Sequence, residues 1–559
     1  MRQLVVVVVL TGVLASGAYF YGRDLATAPA YPTPDEVIIA LQSESIHATA
    51  RDRNGRLLPV YFQVSPVSWF QPIVIYSQAA ARMVAPFDIR TFRRTTVAFA
   101  ILNGLLAWLA LRALVGQWSA MVGMVILLTA PAHFVHGRLA MDYLYPLPFI
   151  LAWLWCLVEF DRRRTWPWLA AAGVALSCGF FSYASAMALM PAYFALTLCY
   201  LAMTSRIRHA WILCAAAALP LVWPVAWLAG HREMIADTFV RYSIGDQAQS
   251  GVLHKLETYR EYFEPTFLFR DSAGPALFAL RGWGLVLPAS GVLFAAGVAG
   301  LLRRRNAMLV VLLPGLLLAA LPAVIIDERH ATQRVLPMVP FLAIIAALGF
   351  DFLWRMNPWP AARLLRTLAA ATLLVGAAYL AWILTTESRI PGMAPPLIGA
   401  GVLGLVAGVR PATATLGRVV AAALMFGLLW QFALFAKGYR DDYPLWSRVL
   451  NGDLPGALTT IGDLAVKTPA PAIYLDAYID QLDDYWAFST LSRGYRIDSN
   501  VVNYRPQDFK LESIPAGSLI LVKRDPRESS AALVLPEADR IAEIPELRGP
   551  VIYSIYRKP

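Results

Sequence analysis

The chain has 559 residues, of which 58% are hydrophobic and only 15% are charged. A water-soluble protein of this size could not cover so much apolar surface, so the composition predicts a protein embedded in lipid. The net charge of +11 comes from basic residues, mostly arginines in short segments beside apolar runs, which argues against a nucleic-acid-binding domain and a nucleic-acid partner.

Apolar runs long enough to cross a bilayer recur along most of the chain. They predict an all-α polytopic membrane domain of about thirteen transmembrane helices. For the first run a cleavable signal peptide is the alternative, and the many spans that follow favour an uncleaved helix. The runs lie at 4–20, 96–115, 119–135, 143–160, 167–185, 187–204, 210–229, 283–302, 307–326, 335–354, 364–385, 394–409 and 416–436.

Arginines in alternate short loops predict the orientation of the helices. With the N-terminus inside, the arginine-rich loops all face the cytoplasm, as the positive-inside rule requires. Lys437 and Arg440, just beyond the last span, are mild exceptions. The three longest connecting or terminal segments then lie outside: 23–95, 230–282 and 437–559.

The outer segments are expected to be folded. Trp69 to Val84 is moderately apolar and predicts a helix along the membrane surface, with a re-entrant or packed loop helix as the alternative. Short β-type runs at Ala472–Leu475, Leu519–Val522 and Val551–Tyr556 predict a small α/β soluble C-terminal domain. The predicted domains are therefore 1–436, including loops 23–95 and 230–282, and 437–559.

Asp35 and Glu36 form an acidic pair early in the first outer loop. A carboxylate beside the membrane surface suits a general base that deprotonates a hydroxyl acceptor. The alternative is a helix start, in which Thr33 is the N-cap, Pro34 follows and the acids face the helix dipole.

Basic and aromatic residues recur in the other outer loops. Arg138 and Asp142 lie in a short second outer loop, where an arginine suits a lipid phosphate and an i, i+4 ion pair is the alternative. The fourth outer loop has the sequence DERHATQRVLP, in which cations suit a phosphate and a solvated loop with internal ion pairs is the alternative. Loop 230–282 mixes cations with aromatic residues, which is consistent with binding a sugar phosphate and equally consistent with an amphipathic surface helix. From these two loops the candidate phosphate-binding residues are Arg329, His330, Arg334, Lys255 and Tyr259.

Several common catalytic and binding motifs are absent from the sequence. It contains no Walker A motif, no GxGxxG after a strand and no HExxH, so a nucleotide-driven pump, a dinucleotide enzyme and a zincin are unsupported. All four cysteines lie inside apolar runs without a CxxC pair, which argues against disulfides and a cysteine-based metal site. No cofactor is expected, and a divalent metal is not indicated.

Four segments together resemble the GT-C superfamily of membrane glycosyltransferases. They are the Asp35–Glu36 pair, RLAMDYLYPLPF with Arg138 and Asp142, YREYFEPTFLF, and ERHATQRVLPMVPFLAIIAALG. Within the superfamily the chain is most similar to the protein mannosyltransferase and lipid A aminoarabinose transferase branch. The similarity covers roughly residues 1–436, and a soluble outer tail also fits.

The resemblance implies a polyprenyl-phosphate sugar donor and an extracytoplasmic acceptor, which is a lipid, a glycan or a protein. Asp35 matches the position of the family's catalytic acid, while Arg138, His330 and Arg334 match positions that hold the donor phosphate. It also implies the bacterial inner membrane, with the C-terminal domain in the periplasm. The alternative is a transporter or flippase of a lipid-linked glycan. The ionisable residues avoid the centres of the spans and gather on one side, which favours an enzyme.

Overall fold

The computed structural model describes residues 2–242, 251–272, 274–304, 308–355, 415–448, 451–495, 500–524, 535–536 and 539–559. The chain forms two compact units, each built from separate stretches of sequence. The helical unit comprises Met1–Arg23, Pro59–Val74 and Thr96–Asp441, and the sheet unit comprises Asp24–Leu58, Ile75–Thr95 and Asp442–Pro559. The predicted domain boundary at 436/437 stays a prediction.

Helices dominate the described residues. The first twelve are α1 Arg2–Gly22, α2 Pro34–Thr49, α3 Pro72–Arg82, α4 Ile89–Val115, α5 Gln117–Leu128, α6 Pro131–His136, α7 Pro146–Arg163, α8 Trp166–Gly179, α9 Ala186–Met203, α10 Ala210–Ala218, α11 Val222–Gly230 and α12 Glu233–Arg241. They are followed by α13 Val252–Glu261, α14 Pro265–Phe269, α15 Pro288–Arg304, α16 Leu309–Leu318, α17 Leu321–Ile325, α18 Thr332–Val335, α19 Met338–Trp354, α20 Thr415–Asp441, α21 Tyr443–Trp446, α22 Leu454–Lys467 and α23 Leu482–Arg493.

The protein is a multi-pass membrane protein. Within the described ranges, 6 helices are long and apolar enough to cross a membrane, and four shorter apolar helices accompany them. The predicted runs fall on helices except 364–385 and 394–409, which lie outside the described residues, so a total of thirteen spans is not confirmed. Several runs are divided by prolines, which cannot donate a backbone hydrogen bond inside a helix. Pro131 begins α6, Pro322 is the second residue of α17, and Pro220 lies in the turn between α10 and α11.

The centre of the helical unit requires close contact between two helices. A Cβ atom built on Gly297 of α15 would lie 1.9 Å from the carbonyl oxygen of Ile345 on α19. One built on Gly349 would lie 1.8 Å from the carbonyl oxygen of Leu293. Small residues that let backbones approach are how helices associate in lipid, where no hydrophobic force drives them together.

The sheet unit contains a five-stranded sheet. Its strands are β3 Ala472–Asp476, β4 Asn500–Tyr504, β5 Leu519–Lys523, β6 Arg540–Pro545 and β7 Val551–Arg557, in the order β4-β3-β5-β7-β6. The first three strands in that order are parallel, and β7 and β6 are antiparallel to their neighbours. The three predicted strand runs are confirmed, whereas β4 and β6 at the sheet edges are largely exposed and carry no strong apolar signal.

Segments of the first predicted outer loop belong to the sheet unit, together with the C-terminal segment. Three contacts join them: the Tyr31 hydroxyl donates to Glu546 at 2.7 Å, Arg53 pairs with Asp484 at 2.5 Å, and the rings of Phe87 and Phe488 lie 5.1 Å apart. Residues distant in sequence therefore form one folded body.

The predicted surface helix forms over a shorter range than expected. A short hairpin precedes it, made of β1 Phe62–Ser65 and β2 Ser68–Phe70, and Trp69 lies on β2 rather than on the helix. On α3 itself Val74, Ile75 and Gln78 are fully buried, so the helix packs inside the protein over much of its surface.

Candidate functional site

Asp35 and Glu36 occupy the first turn of α2. Thr33 is the N-cap: its hydroxyl accepts from the Glu36 amide at 3.1 Å, and the Glu36 carboxylate accepts from the Thr33 amide at 3.0 Å. Pro34 follows the cap. This reciprocal capping box confirms the helix start expected from the sequence and fixes the backbone that bears Asp35.

Glu36 is also half of a buried ion pair. Arg93, at the start of α4, donates to both carboxylate oxygens at 2.8 Å, and both side chains are fully buried. The same guanidinium donates to the carbonyl oxygens of Leu25, Pro29 and Tyr31. A carboxylate held on both oxygens by a buried arginine has no approach for an acceptor, so we assign Glu36 a structural role rather than the predicted catalytic one.

Asp35 is the more accessible carboxylate of the pair, being half-buried. Tyr485 lies close to it in the same unit and donates its hydroxyl proton to the Pro32 carbonyl oxygen at 2.9 Å. Burial raises the pKa of Tyr485, and the negative charges of Glu36 and Asp35 add to the rise. Asp35 therefore lies at a helix N-terminus beside the Tyr485 hydroxyl, and its carboxylate is a group that can serve as a proton acceptor.

Arg138 is buried and holds the end of the first helix. Its guanidinium donates to the carbonyl oxygens of Phe20 at 3.0 Å, Tyr21 at 2.7 Å and Arg23 at 2.5 Å, and to the Tyr439 hydroxyl at 3.2 Å. The carbonyl oxygens of Phe20 and Tyr21 belong to the last turn of α1, where carbonyl groups lack partners within the helix, and Arg23 follows directly after that helix. The contacts give Arg138 a structural function, and its predicted contact with a phosphate stays a prediction.

Arg334 and Asp142, by contrast, meet in one polar cluster of the helical unit. Arg334 donates to Glu328, and its guanidinium carbon lies 5.2 Å from the centre of the Tyr242 ring. The charges of Arg334 and Asp142 both act on the buried Tyr183. The same two charges act on the half-buried Tyr242: burial raises its pKa, the charge of Arg334 opposes this rise and that of Asp142 adds to it. This Arg334 cluster combines the cation with its partner Glu328, with Asp142 and with the hydroxyl groups of Tyr183 and Tyr242. For Arg334, as for Arg329, the ion pair matches the alternative of a loop with internal ion pairs, and its predicted contact with a phosphate stays a prediction.

Other predicted donor-binding residues lie on a more exposed, ion-paired surface. Arg329 pairs with Glu261 at 2.9 Å, and the Tyr259 hydroxyl donates to the Leu317 carbonyl oxygen at 3.0 Å. Lys255 lies on α13, the helix that also carries Tyr259 and Glu261. For Arg329 this matches the alternative of a loop with internal ion pairs.

His330 lies in the fourth predicted outer loop. His330 has a left-handed backbone with φ of 54°, and its ring lies 6.2 Å from the Phe267 ring. Tyr183 and Tyr242 were not predicted as site residues. For Tyr183, the only signal of a site residue in the sequence was its position at the end of an apolar run, in FFSYAS. Across the described stretches, no group of three or more His, Cys, Asp or Glu side chains is positioned to hold a metal ion.

No family model matches the sequence, and no curated protein matches it either. Solved structures do resemble it. ArnT from Cupriavidus metallidurans is similar in the apo state, with a TM-score of 0.53, 14% identity, and coverage of 99% of this chain and 98% of that chain. ArnT bound to undecaprenyl phosphate gives a TM-score of 0.52, 14% identity, and coverage of 98% and 97%.

An oligosaccharyltransferase from Archaeoglobus fulgidus is less similar, with a TM-score of 0.47, 12% identity, and coverage of 88% of this chain and 64% of that chain. The likeness to ArnT extends over almost the whole of both chains. It shows that this chain has a fold similar to that of ArnT.

Proposed function

We propose that the protein is a membrane glycosyltransferase that moves a sugar from a polyprenyl-phosphate donor to an extracytoplasmic acceptor. The observation that supports this most is the full-length likeness to ArnT, which has been solved with undecaprenyl phosphate bound. The reaction would take place at the outer face of the bacterial inner membrane, with the C-terminal segment in the periplasm.

The proposed mechanism assigns the base to Asp35. Its carboxylate accepts the proton of an acceptor hydroxyl, whose oxygen then attacks the sugar carbon that bears the phosphate. The polyprenyl phosphate departs with the electrons of the broken bond. Glu36, held by Arg93, keeps the first turn of α2 in place and does not itself react.

The departing phosphate requires a positive charge. We propose Arg334 for this function because it is mostly buried, with 15% of its side chain exposed, and lies among hydroxyl groups. A cation in a water-poor environment stabilises a developing phosphate charge more than one in water does. Arg329, His330, Lys255 and Tyr259 stay predicted contacts of the donor at the loop surface.

Deleting the gene tests the proposal. Cells without the enzyme should accumulate one polyprenyl-phosphate-linked sugar and lose that sugar from an envelope component, as measured by mass spectrometry of both fractions. Purified protein in nanodiscs should then release polyprenyl phosphate from this accumulated lipid when an envelope extract is supplied. A protein that moves the lipid between leaflets without releasing polyprenyl phosphate would be the transporter instead.

A further inference from the structure

His136, at the end of α6, is a buried histidine that the proposed mechanism does not use. It is 1% exposed, and neither of its ring nitrogens has a hydrogen-bond partner among the residues that the structure describes. Its ring stacks on Phe278 at 5.8 Å and meets the edge of Tyr143 at 5.8 Å. Both of these aromatic residues are partly exposed and cover the imidazole.

His133 on the same helix shows what a structural histidine needs. One of its ring nitrogens lies 2.7 Å from the Tyr21 hydroxyl and the other lies 3.3 Å from the Asn103 amide nitrogen. Burial lowers the pKa of His136 to about 3, so its ring is neutral and presents one donor and one acceptor. Leaving such groups unpaired costs about 1–3 kcal/mol each, which structural positions usually avoid.

Three further buried groups without a partner lie on the segments that form the Arg334 cluster. They are the hydroxyls of Ser185 and Thr332 and the amide oxygen of Gln333. Ser185 follows Tyr183, whose ring lies 5.2 Å from that of Tyr143. Buried atoms without partners also occur elsewhere among the described residues, but these three lie within two residues of Tyr183 or Arg334 in the sequence.

We propose that His136 binds the sugar of the donor, with its two ring nitrogens bonded to sugar hydroxyls once the ring of Tyr143 or Phe278 moves aside. The inference rests on the proposed function and deepens it: the phosphate lies at Arg334 and the sugar lies beside His136. Sites for small ligands are commonly lined by aromatic rings with a few polar groups that fix the orientation. Hydroxyls supply both the donors and the acceptors that a neutral imidazole lacks here.

The test is His136→Phe in the full-length protein, with two lipids as probes. Undecaprenyl phosphate carries no sugar, whereas the lipid-linked sugar accumulated by the deletion strain carries it. The ligand-free variant should unfold at a higher temperature than wild type, because two unpaired nitrogens are removed. Undecaprenyl phosphate should raise the unfolding temperature of both proteins equally. The further rise that the lipid-linked sugar produces in wild type should be lost in His136→Phe. The KM for the lipid-linked sugar should rise about tenfold or more, as expected for lost hydrogen bonds.

His209→Phe is the matched control. His209 also lies beside an aromatic ring, that of Phe160 at 5.9 Å, but its Nδ1 contacts the Arg206 carbonyl oxygen at 3.3 Å. This variant should be no more stable than wild type and should keep its KM. If His136→Phe does not fold, His136→Leu provides the same measurement with a smaller apolar side chain.

Two results would overturn the inference. A lower unfolding temperature of the ligand-free variant with an unchanged KM would make His136 a structural residue whose nitrogens bind internal water. If the lipid-linked sugar adds the same stabilisation to wild type and variant, the sugar binds elsewhere. Stabilisation by undecaprenyl phosphate would in that case leave the proposed function intact. A wild type that responds to neither lipid would instead overturn both.

Discussion

Two adjacent carboxylates on α2 have different surroundings and should respond differently to neutral substitution. Asp35→Asn keeps the shape of the side chain and removes the proton acceptor, so turnover should fall by about 10²–10⁴-fold. Unfolding temperature should change little, since an acid near a helix N-terminus contributes only about 0.3–1 kcal/mol. Transferase assays on purified protein check this, and full activity in Asp35→Asn would remove the assignment of the base.

Glu36→Gln should instead destabilise the fold. It leaves the buried Arg93 guanidinium without its counter-charge, and breaking a buried ion pair in this way costs roughly 3–5 kcal/mol. Asp484→Asn is the control, because its pair with Arg53 is partly exposed and worth about 1 kcal/mol or less. Thermal unfolding of the two variants in the same detergent gives the comparison. Similar small shifts for both would contradict the structural role of Glu36.

Substitutions of the two arginines expected to bind the donor should have different effects, one on ligand binding and the other on stability. Arg334→Ala should weaken binding of undecaprenyl phosphate by about 1.5–3 kcal/mol, as for hydrogen bonds to charged groups, with folding retained. Arg138→Ala should reduce expression and unfolding temperature, because it frees three carbonyl oxygens at the end of α1. Ligand-dependent thermal shifts distinguish the two. Normal folding with lost binding in Arg138→Ala would restore its predicted place at the phosphate.

At the scale of elements, the contact between α15 and α19 gives a direct prediction. Gly349→Ala should lower the unfolding temperature strongly, because the new methyl group meets a backbone carbonyl that cannot rotate away. Gly12→Ala on α1 is the control: among the described residues, no atom outside the neighbouring backbone of α1 itself lies within 4 Å of the added carbon. Size-exclusion profiles and thermal unfolding report both variants, and a Gly349→Ala protein as stable as wild type would exclude this close packing.

Elements that depend on local patterns could be predicted from the sequence, and pairings between distant segments could not. Hydropathy located the apolar helices of the described residues, and Thr33, Pro34 and the acids that follow them indicated the start of α2. The capping box between Thr33 and Glu36 was not predicted. Arg93 gave no sign of its pairing with Glu36, because the partners are 57 residues apart. Tyr183 and Tyr242 were not predicted for the same reason: they come close to Arg334 only after the helices and loops have packed.

For the whole molecule, the orientation in the membrane can be measured with fusions. A periplasmic reporter placed after Arg440 should be active, and one placed after Arg164 should report the cytoplasm, because arginine-rich loops stay inside. A reporter placed after Tyr76 serves as a second periplasmic position. A reporter after Arg440 that is found in the cytoplasm would mean that the number of spans is even. The C-terminal segment would then not lie at the outer face.

The composite sheet unit also has a consequence for how the protein is made. Residues 24–58 and 75–95 leave the ribosome well before Asp442–Pro559, and at 5–20 residues per second this interval lasts roughly 20–70 s. During that time Tyr31, Arg53 and Phe87 lack the partners that the last segment provides. A chain that stops after Asp441 would leave its early loop permanently half-assembled, so envelope proteases should clear such truncations even though the long apolar helices of the described residues have been synthesised.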